Sequence, residues 1–117
     1  MHETRPSHTA EMVAMRRAAH QVFDGEPKVI NDPFAVRIIG TEAEARMRAM
    51  RQQSAFAKVG RAFMGARRRG SEEAGTRAVE QVVTQYVILG AGLVTCAYRA
   101  EVAARLRTFE VDLSLTQ

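Results

Sequence analysis

The sequence predicts an α/β chain, with a helical N-terminal region followed by a β-α-β unit. Three observations carry this. The first 83 residues have helical composition and punctuation. At Gln85 the pattern changes to a β-branched, apolar run, Tyr86-Val87-Ile88-Leu89, without polar alternation. That run meets Gly90 and Gly92, after which a helical segment and a second strand-like segment follow. A strand–helix–strand unit of this length implies a right-handed crossover and a parallel pair. Residues 1–83 are therefore expected to form a helical cap region and residues 84–117 the start of an α/β core.

The elements follow in order. Ser7 or Thr9 can cap a helix beginning near Ala10, with Glu11 in its first turn. Met12, Met15, Ala19, Val22 and Phe23 recur at three- and four-residue steps and form one apolar stripe, with Arg16, Arg17 and His20 beside it. Asp24-Gly25-Glu26-Pro27 ends this helix. A short helix follows in "NDPFAVRIIG", with Asp32 as its N-cap, Pro33 in its first position and Gly40 just past its end. Thr41 to Glu44 reads as a capping box opening a long helix to about Lys58. Gly60, Gly65 and Gly70 predict breaks, and Ser71 to Val83 is helical again, with Gly75 a weak point. Tyr86 to Leu89 reads as a strand covered on both faces. Ala97 to Leu106 returns to helical composition, and Thr108 to Asp112 is a second short strand.

Bulk properties narrow the function. The 117 residues suffice for one small domain with a core, and 46% hydrophobic and 26% charged residues are ordinary for a globular chain. No apolar run approaches the ~20 residues that span a bilayer. Met1 to Pro6 is polar and has no secretory apolar segment. The one cysteine, Cys96, excludes an internal disulfide framework and fits a reducing compartment, so a cytoplasmic protein is expected. The net charge of +4 is almost all arginine, scattered among glutamates. Only Arg67-Arg68-Arg69 is a run, and no aromatic residues interleave with it to stack bases, so nucleic-acid binding is not expected. His2, His8 and His20 have no metal-ligand spacing, so no metal site is assigned.

A strand leading through Gly-x-Gly into a helix suits a bound ligand. Glycine tolerates positive φ and lets the backbone approach a ligand closely, and the helix N-terminus offers free amides. The end of the second strand, Glu110 and Asp112, would lie beside this turn, where a carboxylate can accept both hydroxyls of a ribose. Gly90 to Asp112 matches the expected spacing of about 20 residues. A third dinucleotide glycine would fall at Thr95 and is missing, which disfavours NAD and suits S-adenosylmethionine, which has no pyrophosphate. The other reading is a tight strand–helix turn with solvated acids, and the local pattern leaves both open.

Several blocks in order decide more. "PSHTAEMVAMRRAAHQ", "NDPFAVRIIG", "ARRRGSEEA", "QYVILGAGL", "AYR" and "FEVD" together resemble the bacterial branch of the leucine carboxyl methyltransferase-like family, class I S-adenosylmethionine-dependent methyltransferases. The resemblance covers essentially the whole chain. It implies a Rossmann-like methyltransferase core behind the helical cap, S-adenosylmethionine as cofactor, and O-methyl transfer to a small-molecule, carboxylate or similar acceptor. By the same resemblance Gly90, Ala91 and Gly92 face the cofactor's methionine part, Asp112 with Glu110 close by holds the ribose, and Arg67 pairs with the cofactor carboxylate. Arg16 or Arg17 either positions an acceptor carboxylate or belongs to a solvated helix face; for Arg68 and Arg69 the solvated face is expected. No catalytic residue is assigned, because an ionised acceptor needs no dedicated base.

Two departures from the family pattern stand out. Val94 replaces an aspartate usual after the glycine turn, removing a helix cap at a cost of ~1 kcal/mol. Cys96 beside it reads as a small buried filler. The remaining strands of the family core and its adenine-binding loop are not in this sequence, so the chain is expected to be truncated, with weak or absent cofactor binding and no turnover by itself. A micromolar affinity would contradict this. The alternative is a non-catalytic helical module that docks or self-associates through exposed strand edges.

Overall fold

The computed structural model describes residues 7–50, 54–99 and 104–112. They form three helices, α1 (His8–Phe23), α2 (Ala35–Ala49) and α3 (Ala55–Glu80), and two strands, β1 (Gln85–Leu89) and β2 (Arg107–Val111). The strands pair in parallel, with Gln85 opposite Arg107 and Leu89 opposite Val111. The chain is thus a mixed α/β structure with its helices first, as expected.

Helix α1 starts at His8, two residues before the expected Ala10, and Ser7 rather than Thr9 caps it. The Ser7 hydroxyl accepts the Ala10 amide at 3.2 Å, and the helix stops at Asp24. It packs against both α2 and α3. Met15, Ala18 and Ala19 meet Ala35, Ala43 and Met47 of α2 in the core, with Val22 and Phe23 packed against them. The predicted stripe is therefore the core face, except that Met12 stays exposed. Small residues at 14, 18, 19, 35 and 43 let the helices approach closely, so the core is alanine- and methionine-rich rather than aromatic.

Several expectations are corrected. The short helix of "NDPFAVRIIG" and the one after it run together as α2, with Gly40 at φ 77° marking the kink between them. Glu44, expected to reach back to Thr41, pairs with Arg48 one turn on. The helix expected to reach Lys58 ends at Ala49, and Ser54 caps a new one, accepting the Ala57 amide at 3.2 Å. Gly60, Gly65 and Gly70 do not break α3. Gly65 packs against a neighbour, since a Cβ there would lie 3.3 Å from Val29 Cγ1. Each glycine costs a helix about 1 kcal/mol, and the Arg68–Glu72 and Arg69–Glu73 pairs offset part of this.

The expectation of a strand covered on both faces also fails. Exposure alternates along β1 and β2, and Leu89 is 78% exposed. Of the helix expected from Ala97 to Leu106, the described residues show a short 3-10 turn, Cys96–Tyr98, and no helix at 104–106. Residues 100–103 of that expectation lie outside the described residues. Leu106 is buried, immediately before β2. Among the described residues, no helix is long and apolar enough to cross a membrane.

Candidate functional site

The parallel register puts the end of β2 beside the glycine turn. The Gly90 amide donates to the Val111 carbonyl at 2.7 Å, and the Gly92 amide donates to the Asp112 carboxylate. Both glycines have positive φ, 66° and 52°, which L side chains rarely adopt. A Cβ at Gly90 would meet nothing within 4 Å, so the backbone there lies open. A Cβ at Gly92 would lie 3.1 Å from the Ala10 Cβ, so α1 passes close against the turn.

A cleft of about 480 Å³ opens at this point. Gly90, Ala91, Gly92 and Asp112 form one wall; Ala10, Val13 and Arg17 of α1 and Arg67 and Arg68 of α3 form the others. The structure thus brings together five of the six residues named from sequence. Glu110 lies outside the cleft lining, on β2 opposite Ile88, with its Oε1 buried and unpartnered. Arg67 is exposed at the rim and has no ion-pair partner among the described residues. Val94 lines the cleft too, its amide donating to the Ala91 carbonyl at 3.1 Å.

The turn is tethered to the helices. Arg17, 6% exposed, donates through Nη2 to the Leu93 carbonyl. Burial, then the neighbouring Arg68 and Arg99, push its guanidinium down to about 10, against the pull of Asp32; it remains a cation at neutral pH. Thr95, fully buried, donates its hydroxyl to the Asp32 carboxylate, whose other oxygen accepts the Phe34 amide at 3.1 Å. The aspartate expected to cap α2 therefore also anchors the loop after β1. Arg99 pairs with Glu72, which also accepts from Arg68 Nε at 2.8 Å, and burial lowers the Arg99 pKa.

Arg16 and Arg17, alternatives by sequence, are separated by the fold. Arg17 faces the cleft. Arg16 lies beside Gly60 in an apolar groove with Met12, Met50, Phe56 and Phe63. Arg69 is exposed and paired with Glu73, as expected. Arg68, also expected to be solvated, is largely buried and lines the cleft. Cys96 is buried. Among the described residues, no group of three or more His, Cys, Asp or Glu could hold a metal ion.

Residues 10–117 match the family model for leucine carboxyl methyltransferase. The chain belongs to this family. By family it is a methyltransferase. No curated protein matches it. The leucine carboxyl methyltransferase match takes in every cleft residue discussed above, from Ala10 under the glycine turn to Asp112. Sequence reasoning missed Arg68 and the tethering roles of Arg17 and Asp32. One signal was present: Ala10, Val13 and Arg17 form a second face of α1, and Met64, Arg67, Arg68 and Ser71 a matching face of α3, at helical spacing.

Proposed function

We propose that the cleft is the binding site for S-adenosylmethionine and that the chain carries the methionine and ribose side of an S-adenosylmethionine-dependent O-methyltransferase. The observation that carries this is the approach of the Asp112 carboxylate to the Gly92 amide at the mouth of a cleft walled by glycine backbone. The residues fit such a group. Gly90 leaves an open backbone, Asp112 offers a carboxylate to ribose hydroxyls, and Arg67 offers an exposed guanidinium to the methionine carboxylate. When bound, S-adenosylmethionine supplies a methyl group on a positively charged sulfur. The task of these residues is to hold and orient, which is where much of the rate advantage of such a transfer arises. An acceptor bearing a carboxylate or similar ionised oxygen suits a cleft with three arginines, and no side-chain base is required.

Ligand-observed NMR with S-adenosylhomocysteine tests the reading. Weak, saturable binding is expected for the chain, because Val94 removes a polar contact at the cofactor's edge, and Asp112→Ala should abolish it. No saturable signal, or an unchanged one in Asp112→Ala, overturns the reading.

A second reading, a non-catalytic module that self-associates, is favoured by one observation. Val87, Leu89, Phe109 and Val111 expose one apolar face of the strand pair, and Phe56, Val59 and Phe63 line an exposed stripe of α3. Light scattering separates the two. A monomer that binds S-adenosylhomocysteine supports the enzyme, and a dimer blind to it supports the module.

A further inference from the structure

Helix α3 is buried on one side only. Arg61 and Gly65 are its buried residues, and Phe63 stands half a turn from each. On that outer side Phe56, Val59, Phe63, Ala66, Gly70 and Ala74 follow at steps of three, four, three, four and four residues, and all six are exposed. Such steps make one continuous seam along a helix, the pattern by which two helices pair. The seam is graded in size, bulky as far as Phe63 and only alanine or glycine beyond it. Phe56 is 83% and Phe63 62% exposed, so these two rings alone leave about 300 Å² bare. Gly70 adds an independent observation. It weakens the middle of the helix, yet a Cβ there would meet nothing within 4 Å, so no contact among the described residues requires a glycine. Gly65, by contrast, makes room for Val29. Charge is graded too. Residues 55–70 carry Lys58, Arg61, Arg67, Arg68 and Arg69 and no acid, whereas residues 71–80 carry Glu72, Glu73 and Glu80 with Arg77 alone as a base.

We infer that this face of α3 docks on the same face of a second copy of the chain, the two helices running antiparallel about a two-fold axis. Antiparallel pairing sets the large end of one seam against the small end of the other. Phe63 lies opposite Ala66, Val59 opposite Gly70 and Phe56 opposite Ala74, and the symmetry makes each contact twice. A parallel pair would set ring on ring at one end and glycine on glycine at the other, crowding the first and leaving a void at the second. It would also set the cationic halves together, whereas the antiparallel pair sets each cationic half against an acidic one and opposes the two helix dipoles. A helix that carries both the bulky half and the small half that receives it is complementary to itself. With Val59 and the small residues of both copies included, the buried surface reaches about 1,000 Å², the low end for a specific interface, so a dimer of micromolar affinity is expected. The pairing gives the self-association of the second reading its face. It also leaves the cleft free, because Met64, Arg68 and Ser71 line the cleft from another side of α3.

Sedimentation velocity of the chain across the micromolar range tests this. A monomer–dimer equilibrium is expected, and Phe63→Glu should raise its dissociation constant roughly tenfold or more. Gly70→Leu separates the pairing from a purely structural role, because two readouts move in opposite directions. It should raise the urea midpoint of the dilute monomer, since leucine favours a helix and finds open space there, and it should weaken the dimer by filling the room that Val59 needs across the seam. Gly75→Leu, on another side of α3, should raise the midpoint and leave the dimer unchanged. Leu89→Glu, on the exposed strand face, should also leave the dimer unchanged. A monomer at every concentration, a dimer that survives both Phe63→Glu and Gly70→Leu, a dimer lost in Leu89→Glu, or a Gly70→Leu monomer less stable than the wild type overturns the pairing. S-adenosylhomocysteine separates this result from the reading of the cleft. A dimer that binds it keeps both the pairing and the cofactor site, and a dimer blind to it keeps the pairing alone.

Discussion

The hydroxyl of Thr95, fully buried in the loop after β1, donates to the carboxylate of Asp32, itself 3% exposed at the start of α2. This bond joins the glycine-turn segment to the helical region across 63 residues of sequence. Replacing Thr95 by valine keeps the shape and removes the donor, leaving a buried carboxylate oxygen unsatisfied. A loss of ~1–3 kcal/mol is expected in urea denaturation. Thr95→Ser, which keeps the hydroxyl, should recover most of it.

Asp24 gives the chain an acid-sensitive joint. Arg61, 1% exposed, bonds its carboxylate through Nε at 2.9 Å and Nη2 at 2.6 Å, and His20 Nδ1 lies 2.7 Å away. The Arg61 hydrogen bonds, helped by His20 and opposed by partial burial, hold the Asp24 carboxyl below its ordinary range. The folded state thus protonates at lower pH than the unfolded one. Its contribution is fully present above the unfolded value of about 3.9 and is lost as pH falls through the lower, folded value. Stability should therefore fall below about pH 4, and Asp24→Asn should flatten that part of the profile. Arg61→Met, which leaves the partly exposed carboxylate with His20 alone, should cost about 1–3 kcal/mol in thermal or urea unfolding at pH 7.

The two turn glycines should respond differently to alanine. Each has positive φ, which costs an L residue ~1–2 kcal/mol. At Gly90 nothing else opposes a methyl group, whereas at Gly92 it would press on the Ala10 Cβ at 3.1 Å. Gly92→Ala should destabilise more than Gly90→Ala, and Ala10→Gly should recover the difference. Equal losses in urea unfolding would mean that α1 does not press on the turn.

Val82 lies between α3 and β1 with φ 70°, 84% exposed, an outlying conformation for a β-branched residue. Val82→Asn, a residue that tolerates this region, should raise stability by about 1 kcal/mol, read as a higher urea midpoint at unchanged slope.

Local features of the fold were legible where local chemistry decides them. Ser7 and the Asp24-Gly25 stop bound α1 as read, and the β-branched run and its parallel partner stand at their predicted places. The meeting of Gly90 and Gly92 with Asp112 was legible because a parallel strand pair sets that register, whereas Arg67, on α3, was named from the family resemblance alone and lines the same cleft. What failed depends on packing. Gly65 reads as a breaker in isolation, yet it sits where Val29 comes within reach of a Cβ, and the helix continues through it. Arg68 reads, with Arg69, as a solvated arginine, yet the α3 rotation turns it inward while Arg69 stays exposed. Apolar composition in β1 indicates how much surface wants cover, but not whether the described residues provide it, and they leave Val87 and Leu89 bare.

The glycine turn also has a place in time. Its tethers reach back 76 residues from Leu93 to Arg17 and 63 from Thr95 to Asp32, while the sheet supplies a pair of strands only five residues long. Closing such long loops is slow, and no short segment containing the turn carries the partners that hold it. The site should therefore mature last. The Gly92 amide, donating to Asp112, should exchange its hydrogen only through openings that undo the helical packing. A strand–turn–strand peptide cut from this chain should be unstructured, because the pocket is a product of the whole chain's collapse rather than of its own motif.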